Sequence, residues 1–118
     1  MTPIELKQRT MHFAVRVLKL ADALPNRPSG RTVANQSARS GPSVAANYRA
    51  ALRGKSRADF INKITIVLEE ADETGFWIEL TELAGLLPAK QLSALKIEAG
   101  ELMKIFNATR STARNHRS

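Results

Sequence analysis

Few side chains in this sequence have the chemistry that catalysis or metal binding requires. Cysteine is absent, so no thiolate can act as ligand or nucleophile, and the two histidines are His12 and His116. Di-iron bundles place a glutamate three residues before an inward-facing histidine, whereas Arg9 and Ala113 occupy those positions here. A glycine-rich phosphate loop and a nucleophile elbow are also missing. We therefore expect a protein that is not an enzyme and has no metal and no cofactor.

Arginine is the side chain that this sequence offers to a phosphate, because its planar guanidinium binds two oxygens at once. If residues 30–53 form one helix, four arginines fall within an arc of about 80°. Two further cations extend the cluster into the next turn. These six candidate nucleic-acid-binding residues are Arg31, Arg39, Arg49, Arg53, Lys55 and Arg57. Because no aromatic residue lies among them, the pattern predicts contact with the phosphate backbone of RNA or DNA rather than stacking on bases.

The net charge of +7 is unevenly distributed along the chain. Residues 1–57 have a net charge of +9, and residues 58–118 have a net charge of −2. This asymmetry indicates an electropositive surface built mainly by the first half. Two other interpretations stay open: a solvated basic face with no ligand, or pairing between subunits with the acids at Glu69, Glu70, Asp72 and Glu73. Those four acids are spread around a helix, so a converging carboxylate site is not predicted.

Three breaks rich in proline and glycine, at residues 24–30, 54–56 and 85–88, divide the chain into four segments. Each segment has apolar residues at the helical period and none shows strand-like alternation. In the first segment we place Leu18 beside the core, whose predicted members are Leu6, Phe13, Val17, Leu20 and Leu24. Because short links make neighbouring helices antiparallel, the sequence predicts an all-α fold, an antiparallel up-down-up-down four-helix bundle.

Two boundaries are less simple. Pro42 lies in the middle of the second segment, so the sequence allows either one continuous, kinked helix or two short helices. We expect the bundle to span residues 1–110 and residues 111–118 to form a flexible basic tail. A short turn at residues 38–46 would instead permit a helix-turn-helix DNA-binding regulator, which we rank low.

The third segment has a second apolar face where a bundle helix is normally polar. Its members are Ile66, Phe76, Trp77, Leu80 and Leu83. Aromatic residues are enriched at protein interfaces, so this face predicts a surface for self-association. The alternative is that the ends or loops of the same chain cover it.

The stretch from Arg39 to Ala51, RSGPSVAANYRAA, resembles the signature of the four-helix-bundle proteins encoded by intervening sequences of bacterial 23S ribosomal RNA genes. Agreement extends to the end of the first helix at residues 24–25, to residues 59–60 and to residues 70–80. The resemblance implies an antiparallel bundle, often a homopentameric ring, with no assigned activity for most members. It also implies a relation to the accessory proteins of diversity-generating retroelements, which are basic pentamers that work with a reverse transcriptase and nucleic acid.

Two residues of that stretch differ in how they match the family pattern. Asn47 matches, and we expect it to have a structural, hydrogen-bonding role near the core or an interface. A glutamate commonly follows two residues later in the family, whereas this chain has Arg49. The change adds positive charge to the second helix and removes any role that depends on an acid at this position.

We therefore expect a homo-oligomeric bundle, with a pentamer favoured, that binds RNA or DNA as an accessory factor. The alternative is a protein-interaction scaffold that does not bind nucleic acid. No apolar run approaches the ~20 residues of a membrane span, and the first seven residues lack the pattern of a signal peptide. We expect a cytoplasmic protein that has no membrane partner.

Overall fold

The structure is a computed structural model that describes residues 1–115, and these form four long helices without a strand. Their bounds are α1 Pro3–Ala23, α2 Pro28–Leu52, α3 Arg57–Leu83 and α4 Ala89–Asn115. Each helix packs along the next, and α1 also meets α4, although more sparsely. The bundle measures 52 × 21 × 20 Å. The predicted all-α four-helix bundle is therefore confirmed.

Capping residues fix where two of the helices begin. The Thr2 hydroxyl accepts a hydrogen bond from the Glu5 amide at 3.1 Å, and the Glu5 carboxylate accepts one from the Thr2 amide at 3.3 Å. Hydrogen bonding to Thr2 lowers the pKa of Glu5 because it favours the charged carboxylate. At α3, the Ser56 hydroxyl accepts from the Asp59 amide at 3.0 Å. These contacts satisfy amides that a helix start leaves without partners.

Helix α2 runs without interruption through Pro42, so the interpretation as one continuous helix is confirmed. The turn that a helix-turn-helix regulator needs at residues 38–46 does not form, because this stretch is helical throughout. Helix α4 continues to Asn115, so residues 111–115 are helical where the sequence analysis expected a flexible tail. The rest of the predicted tail, residues 116–118, lies outside the described residues.

The core forms from one apolar stripe on each helix. Fully buried side chains include Phe13, Val17, Val44, Ile64, Ile78, Leu92, Leu102 and Phe106. The Tyr48 ring packs on Phe106 with ring centroids 5.3 Å apart, and burial raises the pKa of the Tyr48 hydroxyl. The prediction for Leu18 was wrong, because its side chain is exposed on the outer side of α1. Leu18 follows Val17 by about 100° around the helix, which takes it out of the inner stripe.

Small and polar residues line the inner side of α2 and let its neighbours approach closely. A Cβ atom at Gly41 would lie only 2.5 Å from Cγ1 of Val17, so glycine is needed for the α1–α2 contact. On the other side, the Thr74 hydroxyl donates a hydrogen bond to the buried Ser40 hydroxyl at 2.8 Å. The Ser37 hydroxyl donates to the Val33 carbonyl at 2.7 Å. The buried hydroxyls are thus paired, as a water-free interior requires.

Candidate functional site

Four of the six predicted phosphate-binding residues lie together at one end of the bundle. Arg49 and Arg53 are in the last turn of α2 and its cap, Lys55 is in the following turn, and Arg57 begins α3. All four side chains are exposed. Among residues 1–115, none of them forms an ion pair with a carboxylate. We call these four residues the basic end, and their charge is available to a ligand.

The other two predicted residues have different surroundings. The Arg39 guanidinium donates to Glu70 at 3.3 Å and also pairs with Glu73, both on α3. These carboxylates raise the pKa of Arg39 and offset its charge. Arg31 donates to Asn26 at 3.1 Å and lies in the first turns of α2. At a rise of 1.5 Å per residue, it is about 33 Å from Arg53 along the helix.

Helix α4 adds cations to the basic end that the sequence analysis did not select. Its last turns lie beside the start of α3, and Arg57, Phe60, Thr109 and Ala113 line one groove there. Two further arginines occur in these turns of α4. Arg110 donates to the Thr65 hydroxyl at 3.4 Å, and Arg114 is exposed one turn later.

A signal for this extension was present in the sequence. The residues that α4 keeps half-buried after Phe106 are Thr109, Arg110 and Ala113, which continue its helical spacing of three and four. The sequence analysis ended the bundle at residue 110 and assigned residues 111–118 to a flexible tail. Arg114 therefore belongs to a folded helix rather than to a flexible segment.

A second arginine network shows that exposure alone does not decide which cations are available. Arg9 on α1 donates to both carboxylate oxygens of Glu98 and to Glu101 on α4, each at 2.7 Å. Hydrogen bonding to Glu98 raises the pKa of Arg9. These bonds join α1 to α4, the pair of neighbouring helices that otherwise contact each other most sparsely. The charges of Arg9 and Arg39 are therefore offset by carboxylates of the same chain, although the Arg39 side chain stays exposed.

The predicted self-association surface on α3 divides into two parts. Trp77 and Leu80 are half-buried against the core, and Ile66 is half-buried as well. The Trp77 indole nitrogen donates to Glu73 at 3.4 Å, on the side facing Arg39 of α2. Phe76 and Leu83 are exposed instead, at 53 % and 78 %. The Phe76 ring meets the Trp77 ring edge-on, with centroids 4.8 Å apart.

Asn47 keeps its hydrogen bonds within α2. Its side-chain nitrogen donates to the Ser43 carbonyl at 2.9 Å and to the Ser43 hydroxyl at 3.0 Å. The side chain is half-buried. This contact joins successive turns of the helix and leaves the amide oxygen as a further acceptor.

Residues 1–115 lack two further kinds of site. No group of three or more His, Asp or Glu side chains in this range is arranged to hold a metal ion. None of the four helices, over the same residues, combines the length and the apolar composition needed to cross a membrane.

Comparisons with known proteins point to one family. The family model described as 23S rRNA-intervening sequence protein matches residues 3–108. A crystal structure from Bacteroides thetaiotaomicron, described as a protein with unknown function from the S23 ribosomal protein family, is 36% identical and superposes with a TM-score of 0.83. The alignment covers 88% of this chain and 96% of that chain. No curated protein matches the sequence.

Proposed function

This chain belongs to the family of 23S rRNA-intervening sequence proteins, and we propose that it is a non-enzymatic homo-oligomer that binds the phosphate backbone of RNA or DNA. The observation that carries this proposal is the basic end. Arg49, Arg53, Lys55 and Arg57 stay exposed and without carboxylate partners among residues 1–115, whereas Arg9 and Arg39 are neutralised.

Local electrostatics at this end favour an anion over a cation. The carboxylate of Asp59 accepts from the Lys55 amide at 3.2 Å, and the Asp59 amide is held by Ser56, so this acid is committed to the start of α3. Arg110 and Arg114 extend the same surface from α4. A phosphate backbone would therefore meet cations from three helices, α2, α3 and α4, and from the turn that joins α2 to α3.

Oligomerisation would multiply this weak, sequence-independent attraction. A ring of five copies, which the family resemblance implies, would present five basic ends to one strand and raise the effective concentration of each contact. We place such a ring in the cytoplasm, as an accessory factor for nucleic acid. By the same resemblance its protein partner would be a reverse transcriptase.

The test is the salt dependence of binding, measured by fluorescence anisotropy with labelled single-stranded RNA and duplex DNA. Each phosphate contact contributes about 0.9 to the slope of log K against log salt for duplex DNA. We expect Arg49→Gln with Arg53→Gln to reduce that slope by about 2 for each basic end that contacts the strand, and to weaken binding about tenfold or more. The loss of affinity should be similar for nucleic acids of different base sequence, because contacts with the phosphate backbone do not depend on the bases.

A matched control separates this surface from net charge. Arg27→Gln with Lys90→Gln removes the same two charges from exposed residues at the opposite end of the bundle. We expect that variant to bind within about threefold of the wild type, since charges beyond a Debye length contribute little. Equal losses in both double variants would reject the basic end as the contact surface. Absence of salt-dependent binding by the wild type would reject nucleic-acid binding altogether.

The second candidate function is a protein-interaction scaffold. Exposed Phe76 and Leu83 favour it, because large apolar side chains on a protein surface mark interaction sites. A wild-type protein that assembles but shows no affinity for RNA or DNA at low salt would support this candidate instead.

A further inference from the structure

Helix α1 has a second apolar stripe on the side opposite its core face. Ile4, Met11, Val15 and Leu18 follow one another at steps of seven, four and three, and they are between 43% and 71% exposed. Their positions fall within an arc of about 60°, and the stripe is about 21 Å long. A continuous apolar seam of this spacing is typical of a helix face that packs against another protein surface. We call these four residues the α1 stripe.

A second unpartnered apolar surface lies between α3 and α4. Phe76 projects over a shallow depression that Ala99 and Met103 also line. Gly75 and Gly100 belong to the same depression, and no atom lies within 4 Å of a Cβ position at either glycine. Two glycines thus leave the backbone open to close approach by an incoming side chain. We call this surface the acidic depression, for the rim described next.

The rims of the two surfaces have opposite charge. Asp72 and Glu79 border the acidic depression, and the lysine beside it, Lys96, already pairs with Glu82 at 3.7 Å. Lys7 and His12 border the α1 stripe near Ile4 and Met11, and Lys19 follows Leu18. The acids of α1 are Glu5, whose carboxylate accepts from the Thr2 amide in the helix cap, and Asp22, which lies beyond the end of the stripe. Within residues 1–115, neither lysine of the stripe and neither acid of the depression forms an ion pair.

The two surfaces face different directions because α1 and α3 are diagonal in the bundle. Helix packing links α1 to α2 and α4, and α3 to the same two helices, whereas α1 and α3 do not pack on each other in the described part of the chain. One molecule therefore cannot use its stripe to cover its own depression. A contact between the stripe of one copy and the depression of the next is heterologous, and repetition closes a ring or extends a filament.

We propose that the α1 stripe of one copy docks on the acidic depression of the next copy, so that assembly is head-to-tail. This inference rests on the proposed homo-oligomerisation and names both of the surfaces involved. Charge favours one arrangement of two copies over the other. When the stripe of one copy docks on the depression of the next, Lys7 and Lys19 approach Asp72 and Glu79. When the stripes of two copies dock on each other, their lysines repel. Phe76, one of the two exposed residues of the predicted α3 surface, then serves as the apolar anchor of the interface.

The test blocks one surface at a time and then mixes the variants. Met11→Glu places a charge in the stripe, and Phe76→Glu places one in the depression; both side chains are exposed. By light scattering and sedimentation, we expect each variant alone to be a monomer. A mixture of equal amounts is expected to form a heterodimer and nothing larger, because the intact depression of Met11→Glu meets the intact stripe of Phe76→Glu.

Controls make each outcome decisive. Ile97→Glu changes an apolar residue that is 63% exposed on α4 but belongs to neither surface, so it should assemble like the wild type. Circular dichroism shows whether each variant is folded. If Met11→Glu or Phe76→Glu unfolds, Lys7→Glu with Lys19→Glu and Asp72→Lys with Glu79→Lys replace the pair, and mixing them should restore assembly.

The failures can be told apart. A monomeric wild type would overturn self-association itself, and with it this interface. A wild-type oligomer that either single variant leaves intact would overturn this interface only. Monomers in the mixture would overturn the head-to-tail pairing, and a dimer of Phe76→Glu alone would show that two stripes pair with each other.

Discussion

Replacing Gly41 by alanine is expected to lower the free energy of unfolding by about 2–3 kcal/mol, as overpacking of a close-packed core does. The new Cβ atom would lie 2.5 Å from Cγ1 and 2.6 Å from Cβ of Val17. Val17 is fully buried, and a β-branched side chain in a helix has one strongly preferred rotamer, so it cannot turn away. Helices α1 and α2 must therefore separate. Urea unfolding followed by circular dichroism measures the loss.

The same substitution elsewhere in the protein supplies the control. Gly100 lies inside α4, and no atom is within 4 Å of its Cβ position. We expect Gly100→Ala to raise stability by about 0.5–1 kcal/mol, because alanine loses less backbone entropy in a helix than glycine does. All variants are made in the Phe76→Glu background, which is expected to be monomeric, because Gly100 lines the acidic depression and assembly would otherwise contribute to the measured stability.

A double variant tests the cause of the expected loss. Val17→Ala removes Cγ1 and Cγ2, two of the three Val17 atoms that the new methyl group would meet, and so relieves part of the overlap. We expect Val17→Ala with Gly41→Ala to be less destabilised than the sum of the two single variants, with a coupling of about 1 kcal/mol or more. If Gly41→Ala is as stabilising as Gly100→Ala, the close approach of α1 and α2 is wrong.

Phe106→Ala is expected to have the largest effect of any single substitution considered, a loss of about 3–5 kcal/mol in the free energy of unfolding. Phe106 is completely buried and packs on Tyr48, which joins α4 to α2 close to the basic end. Thermal unfolding would measure this loss. Since Phe106 anchors the last turns of α4, the variant should also bind RNA more weakly, because Arg110 and Arg114 are no longer held beside Arg57.

Ile97→Ala provides the comparison on the same helix. Ile97 is exposed, so truncating it should change stability by less than about 0.5 kcal/mol. A loss below about 1 kcal/mol in Phe106→Ala would contradict the docking of the last turns of α4, since cavities left by buried aromatic residues cost several times more.

Much of the fold followed from local patterns in the sequence. Clusters of proline and glycine interrupt helices more reliably than single residues do, and the three breaks predicted from such clusters were correctly placed. The spacing of Leu92, Leu95, Ala99, Leu102 and Phe106 identifies the inner side of α4, and all five are buried. The sequence left open whether the second helix continues through Pro42. A proline removes one backbone hydrogen bond, and the packing around it decides whether the helix continues in spite of that loss.

The candidate site was only partly predictable. Sequence analysis found the arginines of α2, but it missed Arg110 and Arg114, and it grouped Phe76 with Trp77 although the structure exposes one and half-buries the other. It also placed Leu18 near the core, and this hid the α1 stripe. Each of these errors concerns the flank of a helix, where burial depends on how near the next helix lies.

By itself, the sequence determined that this chain forms four amphipathic helices, which residues line the core, and that the first half holds the excess of positive charge. Only the tertiary structure decided which charges remain available. Arg39 is neutralised by Glu70 and Glu73, which lie 31 and 34 residues further along the chain, whereas Arg49, likewise exposed on the same helix, forms no ion pair among residues 1–115. The reason is physical: periodicity gives the angle of a side chain around its own helix, but the rotation and register between helices decide what it meets.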